Sequence, residues 1–279
     1  MIIGAVDMSQ VGRTLRLGRI FYRKTGRTVI VSMDHGLFLG PIKGLERPVD
    51  VARKAIEGGA NAILTSPGIC QHIVPEISGC AGLILRIDGA TTTYGPDFYD
   101  TRIIVSVEDA VRMNADAVIV MGYIGAEKES KTLENIGSVA RECEKLGMPL
   151  FAEMMPVKSE RIADPYDVAV VSLAARVGAE LGADIIKTYY TGSEETFKEV
   201  VRRCPVPIVV AGGPKMESEG QALRVVREAI NVGAAGVVFG RNIWQHGNPG
   251  GMTRAIGRMV HEGISVEEAL KEIARNKRL

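Results

Sequence analysis

Leu181-Gly182-Ala183-Asp184-Ile185-Ile186-Lys187-Thr188 reads in one direction. A glycine closes a helical pattern, a small residue follows, and a short aliphatic run ends on a lysine. The same punctuation recurs at Glu57-Gly58-Gly59-Ala60, Met113-Asn114-Ala115-Asp116 and Val232-Gly233-Ala234-Ala235. Each marks the passage from a helix into a buried strand, so the chain is built from a repeated strand–helix unit.

Outward from that stretch, eight apolar runs can be counted, at 28–33, 60–65, 83–87, 116–121, 149–153, the run ending at Lys187, 207–211 and 236–239. Helical patterns separate most of them. One is read as capped by Asp164 and started by Pro165, and residues 68–72 are read as a short helix or turn. Eight such units without a linker predict an α/β chain folded as a single-domain, closed (β/α)8 TIM barrel. A doubly wound open sheet needs a glycine-rich fingerprint after its first strand, and Met33-Asp34-His35-Gly36 is not one. The expected domain is 1–279, with a helical prelude at 1–27 and a C-terminal helical extension at 249–279. In the prelude, Arg13, Arg16, Arg19 and Arg23 recur at near-helical spacing. They are read as the solvated face of a short helix closing the barrel bottom.

Of 279 residues, 46% are hydrophobic but only 5% aromatic, so the core is aliphatic. The 34 basic and 33 acidic residues nearly cancel, which gives no electrostatic case for nucleic acid or a membrane surface as partner. Cys70, Cys80, Cys143 and Cys204 have neither paired nor metal-ligand spacing. They read as reduced thiols, and no metal is expected. No apolar stretch reaches the 18 residues of a membrane span. A soluble, cytoplasmic protein is expected.

In a barrel, the residues just after each strand line one mouth, where active sites are built. Here those ends collect Asp34, His35, Asp88, Tyr123, Glu153, Lys187, Gly212-Gly213 and Gly240-Arg241. A lysine amine attacks carbonyls only when unprotonated, and a free lysine, of pKa about 10.4, is so in about one molecule in 2,500 at pH 7. Desolvation at a strand end, or a nearby cation, can lower that pKa and free the amine. Lys187 is the candidate nucleophile. Asp34, His35, Tyr123 and Glu153 are the candidate proton carriers, with Glu153 able instead to pair with Lys187. Gly212, Gly213, Gly240 and Arg241 are the candidate phosphate site: glycines let backbone N–H groups approach an anion, and an arginine binds its oxygens in pairs. Trp244 and His246 read as packing.

Met33-Asp34-His35-Gly36, Ile186-Lys187-Thr188, Ala211-Gly212-Gly213-Pro214-Lys215 and Gly240-Arg241-Asn242-Ile243 together resemble the DeoC/FbaB family of Schiff-base aldolases. The resemblance runs from about residue 19 to residue 273. It implies that Lys187 is the Schiff-base lysine, Asp34 an acid/base, and the two glycine loops a phosphate site. It also implies a homo-oligomer, since members of the family are often decamers. The implied substrate is a small phosphorylated ketone or sugar, whose C–C bond is made or broken without a cofactor. Members with other chemistries are an aminodideoxyheptulosonate synthase and a thiolase acting on a breakdown product of phosphorylated autoinducer-2, with coenzyme A as co-substrate. The segment Glu153-Met154-Met155-Pro156 puts Met155 where the aldolases and the synthase carry a proton-carrying tyrosine before a proline. The thiolase also lacks that tyrosine, and it resembles this chain in Tyr123-Ile124-Gly125 and in Lys187-Thr188-Tyr189-Tyr190 as well. From a different class, a sugar-phosphate sensor would keep the phosphate loops without needing a reactive Lys187.

Overall fold

The computed structural model describes residues 8–275. The outermost parts of the expected 1–279 domain, residues 1–7 and 276–279, lie outside the described residues. Strands β1 (Thr28–Ser32), β2 (Ala62–Thr65), β3 (Gly82–Arg86), β4 (Ala117–Ile124), β5 (Leu150–Pro156), β6 (Ile185–Thr188), β7 (Ile208–Ala211) and β8 (Gly236–Phe239) form a closed parallel barrel. Each strand pairs with its neighbours in sequence, and β1 pairs with β8 to close the ring. The eight-stranded TIM barrel expected from the repeats is the observed fold.

Alternation along the strands makes two cores. Ile30, Leu64, Ile84, Ile119, Phe151, Ile185, Val209 and Val238 point inward and fill the barrel. Their neighbours, among them Val31, Ile63, Leu85, Val120, Ala152, Ile186 and Val210, face the helices. This is the period-two pattern of strands buried on both sides. Helix α1 (Met8–Ile20) plugs the bottom, with Leu17, Ile20 and Phe21 packed on the inner core.

Three local expectations are corrected. Of the arginine stripe, Arg23 lies beyond α1 and is exposed as read, but Arg13, Arg16 and Arg19 are tied to the barrel. Arg13 pairs with Glu144 at 2.8 Å and Asp184 at 3.3 Å, Arg16 donates to the Gly147 carbonyl at 3.1 Å, and Arg19 pairs with Asp116. Those groups sit where helices turn back into strands, so these arginines fasten the plug to the barrel. Asp164 does not cap the helix before β6. That helix, Val168–Glu180, starts three residues later, at Asp167, whose carboxylate accepts from the amides of Ala169 and Val170. Asp164 instead closes a turn onto the Tyr166 amide at 2.9 Å. The short segment at 68–72 belongs to a full helix, Pro67–Ile77, with Pro75 in its last turns. Trp244 is buried and donates to the Ser32 carbonyl at 3.0 Å, a packing role as read. His246 bridges Glu219 and the Asn248 carbonyl at 2.6 and 2.9 Å.

The strands that carry the mouth run further than their apolar runs suggest. β4 continues through Tyr123 to Ile124, and β5 through Met155 to Pro156, paired rung for rung. Tyr123 and Met155 therefore stand in the sheet rather than in loops, which fixes where their side chains can point. Among the described residues no helix is long and apolar enough to cross a membrane.

Candidate active site

Lys187 lies two residues above Ile185 on the inward row of β6, so the alternation that fills the barrel also aims the lysine into it. One rung carries Met121, Glu153, Lys187 and Val209 side by side across four strands. Glu153 is thus the direct cross-strand neighbour of Lys187, and its Oε1 lies 2.5 Å from Nζ. Both are buried, at 6% and 5% exposure. They form the floor of a cavity of about 430 Å³ at the carboxyl ends of the strands.

An arginine holds the other side of Glu153. Arg86, the last residue of β3, is 1% exposed. Its Nε donates to Asp34 Oδ2 at 2.9 Å, one terminal nitrogen to Asp88 Oδ1 at 3.1 Å, and the other to Glu153 Oε2. Asp34 accepts a further bond from the Ser32 hydroxyl at 2.6 Å. Burial works to raise the pKa of Asp34, but Arg86, Lys187, His35 and Ser32 overcome it and hold the carboxyl well below its usual range. Burial of Glu153 is likewise overcome by Lys187 and Arg86, and its pKa is lowered. Both are carboxylates at neutral pH, ready to accept a proton. Asp88 shifts the other way, because its burial outweighs Arg86.

His35 lies beside this network. Its Nδ1 is 3.6 Å from Asp34 Oδ1, and its ring meets Trp244 edge-on at 5.4 Å. Burial, against the pull of Asp34, lowers its pKa, so the imidazole is neutral at pH 7. Tyr123 stands one inward step above Met121 and packs with Met155 and Val157. Tyr99 meets its ring at 4.9 Å. Burial first, then Asp88 and Glu153, raise its phenol well above the ordinary range. It can donate a hydrogen bond but not readily become an anion.

The loops after β7 and β8 meet at the opposite rim. Asn242 ties them together: its side-chain amide donates to the carbonyls of Gly212 and Pro214, and its oxygen accepts from the Met216 amide at 2.8 Å. Gly213 has φ +64° with open space where a side chain would stand, so its backbone can face a ligand in a conformation that glycine favours. At Gly240 the demand is steric: a Cβ there would come within 2.7 Å of His35 and 2.9 Å of the Ser32 carbonyl. Arg241 opens a single-turn helix, Arg241–Trp244, lines the cavity and is half-buried. Its Nε has no hydrogen-bond partner among the described residues. A half-buried guanidinium lining a cavity, with no carboxylate paired to it among the described residues, suits an anion.

The site therefore brings together Asp34, Glu153 and Lys187 as one connected cluster, with His35 and Tyr123 on its flanks and the glycine loops and Arg241 at the rim. The sequence reading missed Arg86 and Asn242. Arg86 had a visible signal, an arginine inside the apolar run Leu83-Ile84-Leu85-Arg86-Ile87. A wall of Phe38, Phe98 and Tyr99 was also missed. It comes from the 91–100 loop and from the short helix after β1, and it carries no motif.

A family model of DeoC/LacD aldolases matches residues 28–246. The chain is 40% identical over 263 residues to a 2-amino-3,7-dideoxy-D-threo-hept-6-ulosonate synthase of Halobacterium salinarum, covering 94% of this chain and 97% of that one. It is 39% identical over 266 residues to a 3-hydroxy-5-phosphonooxypentane-2,4-dione thiolase of Escherichia coli K12, covering 95% and 87%. A solved archaeal fructose-1,6-bisphosphate aldolase, with its catalytic lysine bound to the carbinolamine intermediate of the substrate, superimposes with a TM-score of 0.81. It is 31% identical and covers 89% of this chain and 99% of that one.

Proposed function

The chain belongs to the DeoC/LacD family of aldolases, and from that premise we propose that Lys187 forms the Schiff base by which this class I enzyme makes or breaks a C–C bond in a small phosphorylated ketone. The observation that carries the assignment is the buried Lys187 Nζ held 2.5 Å from Glu153 Oε1 at the floor of the mouth. In the fission direction Lys187 passes a proton to Glu153 and its amine attacks the ketone carbon. After a proton shift, the carbinolamine hydroxyl takes the proton back from Glu153 and leaves as water, giving an iminium. A carboxylate, Glu153 or Asp34, then removes the proton of the hydroxyl next to the scissile bond. The C–C electron pair flows into the iminium and leaves an enamine. Reprotonation of the enamine carbon and hydrolysis return free Lys187. Tyr123 and His35 serve as hydrogen-bond donors that orient the oxygens. Assembly into a homo-oligomer, implied by the family resemblance, belongs to the same proposal. Borohydride reduction in the presence of a phosphorylated ketone tests the reading: the reduced adduct must map to Lys187, and its appearance elsewhere, or its absence, overturns it.

Phosphate at the rim supplies orientation, because binding energy remote from the reacting carbon is spent on placing it. Arg241→Ala is expected to raise KM for a phosphorylated substrate by about 10- to 150-fold, the worth of a charge-assisted hydrogen bond. The dephosphorylated analogue should be nearly unaffected. Equal effects on both would remove Arg241 from the phosphate site.

One residue favours a second reading, acyl transfer to coenzyme A. Met155 points into the cavity one inward step above Glu153, where the aldolases' tyrosine is expected from the resemblance. A thioether has no proton to give. The wild type should therefore cleave fructose bisphosphate slowly, and Met155→Tyr should raise that cleavage at least about tenfold, part of the roughly 10²- to 10⁴-fold that a fully positioned acid/base supplies. A rate unchanged by the substitution would show that another group carries the proton. Thioester formation with coenzyme A, assayed on the same ketones, separates acyl transfer from aldol cleavage.

A further inference from the structure

Arg86 is more committed than a structural ion pair requires. Each of its three nitrogens holds a different carboxylate, those of Asp34, Asp88 and Glu153, and its carbon lies 5.9 Å from the Phe38 ring centre. The far oxygens are fixed in turn. The Ser32 hydroxyl holds Asp34 Oδ1 at 2.6 Å, the Met121 amide holds Asp88 Oδ2 at 3.1 Å, and Lys187 holds Glu153 Oε1 at 2.5 Å. The residues come from β1, β3, β4, β5 and β6 or from the positions just after β1 and β3, so closure of the barrel is what assembles the cluster.

Two cations thus face three buried carboxylates, and Lys187 is the one that must give up its proton to react. Among the described residues, Arg86 is then the only permanent positive charge within bonding distance of Asp34 and Glu153. Without it, burial and mutual repulsion would protonate one of the two carboxylates, and the base beside Lys187 would be lost.

We propose that Arg86 is a positioning residue that keeps Glu153 and Asp34 as aimed carboxylates beside Lys187, and so sets the lowest pH at which the Schiff base forms. This rests on the roles given above to Lys187 and Glu153. The groups facing Glu153 are Lys187, Arg86, Asp34 and, more weakly, His35, Tyr123 and Tyr189; those facing Asp34 are Arg86, Lys187, His35, Ser32 and Glu153. With Arg86 present both carboxylates titrate below their ordinary range, so its removal raises them. As pH falls, the ionised form is then lost earlier, and the acid limb moves to higher pH.

The test follows labelling of Lys187 by cyanoborohydride with dihydroxyacetone phosphate as probe, from acid to neutral pH, in the wild type, Arg86→Lys and Arg86→Met. Lysine keeps one charge but cannot bridge three carboxylates. The acid limb of Arg86→Lys should rise by part of the about 1–3 pH units that are the usual influence of an arginine beside a carboxylate. Its plateau at neutral pH should stay within about tenfold of the wild type, since the carboxylates are ionised there. Arg86→Met should move the limb at least as far; if it fails to fold, Arg86→Lys alone decides. A lowered Tm or plateau with the limb unmoved assigns Arg86 to structure only and overturns the proposal. An unlabelled Lys187 in the wild type overturns the functional reading and this one together. A labelled Lys187 with an unmoved limb overturns only the role of Arg86.

Discussion

Lys187→Met is expected to abolish turnover of the natural substrate, a loss on the order of 10⁶-fold, the scale reached when an enzyme's covalent nucleophile is deleted. The iminium is the electron sink for the bond that breaks, and the described cavity holds no other lysine at its floor to replace it. Lys158, which also lines the cavity, is exposed. Methionine matches the lysine stem in length, so packing survives, but Glu153 loses the partner of its Oε1. Breaking a buried pair by removing one member costs about 3–5 kcal/mol. A melting curve must therefore accompany the assay, and Lys187→Met with Glu153→Gln should recover part of the lost stability without recovering turnover. Substrate should still bind through the phosphate loops. Turnover by folded Lys187→Met within a few hundredfold of the wild type would sink the Schiff-base mechanism for this chain.

The barrel was legible because its signal is local. Every Gly or Asn stop followed by a small residue and an aliphatic run could be read without knowing what packs on it. Lys187, Asp34 and the glycine loops were legible for a related reason: they follow strands, and strand ends face the mouth. Arg86 carries a different kind of information. Its meaning depends on Asp34, Asp88 and Glu153, of which Glu153 lies 67 positions away and on a strand that is not its neighbour. Asp88 is two residues along the chain, but only barrel closure brings Asp34 and Glu153 to Arg86. The extra rungs of β4 and β5 were hidden because Gly122, Tyr123 and Pro156 read as the end of a strand. In the structure Gly122 is where Met154 packs, since a Cβ there would sit 2.6 Å from the methionine sulfur. Tertiary packing extends the strands past their propensity. The arginines of α1 misled in the same way: their spacing suits a solvated helix face, and only the docking of that helix supplies Glu144, Asp184 and Asp116.

Glu153→Gln should lower kcat by about 10²- to 10⁴-fold, the contribution of a positioned acid/base, or about 3–5 kcal/mol of transition-state stabilisation. The substitution preserves volume and removes the charge. One carboxylate oxygen faces Arg86 and the other Lys187, so an amide must turn its NH₂ toward one of two donors. That buried mismatch costs about 1–3 kcal/mol beyond the lost ion pairs. The pH dependence of this cost has a definite sign. The Glu153 carboxyl titrates below its ordinary value in the folded protein, so its stabilising effect is fully present above the unfolded pKa of about 4.3 and fades as pH falls through the folded value. Wild type and Glu153→Gln should therefore differ most in Tm at neutral pH and converge under acid conditions. KM for the phosphorylated substrate should move little, since Arg241 and the glycine loops hold that end. Asp34→Asn is the control that divides the labour. If Asp34 takes the hydroxyl proton and Glu153 manages the lysine, Glu153→Gln slows cyanoborohydride labelling of Lys187, whereas Asp34→Asn leaves labelling fast and slows C–C cleavage. Wild-type kcat in a folded Glu153→Gln would remove Glu153 from proton transfer and leave Asp34 as the carrier beside Lys187.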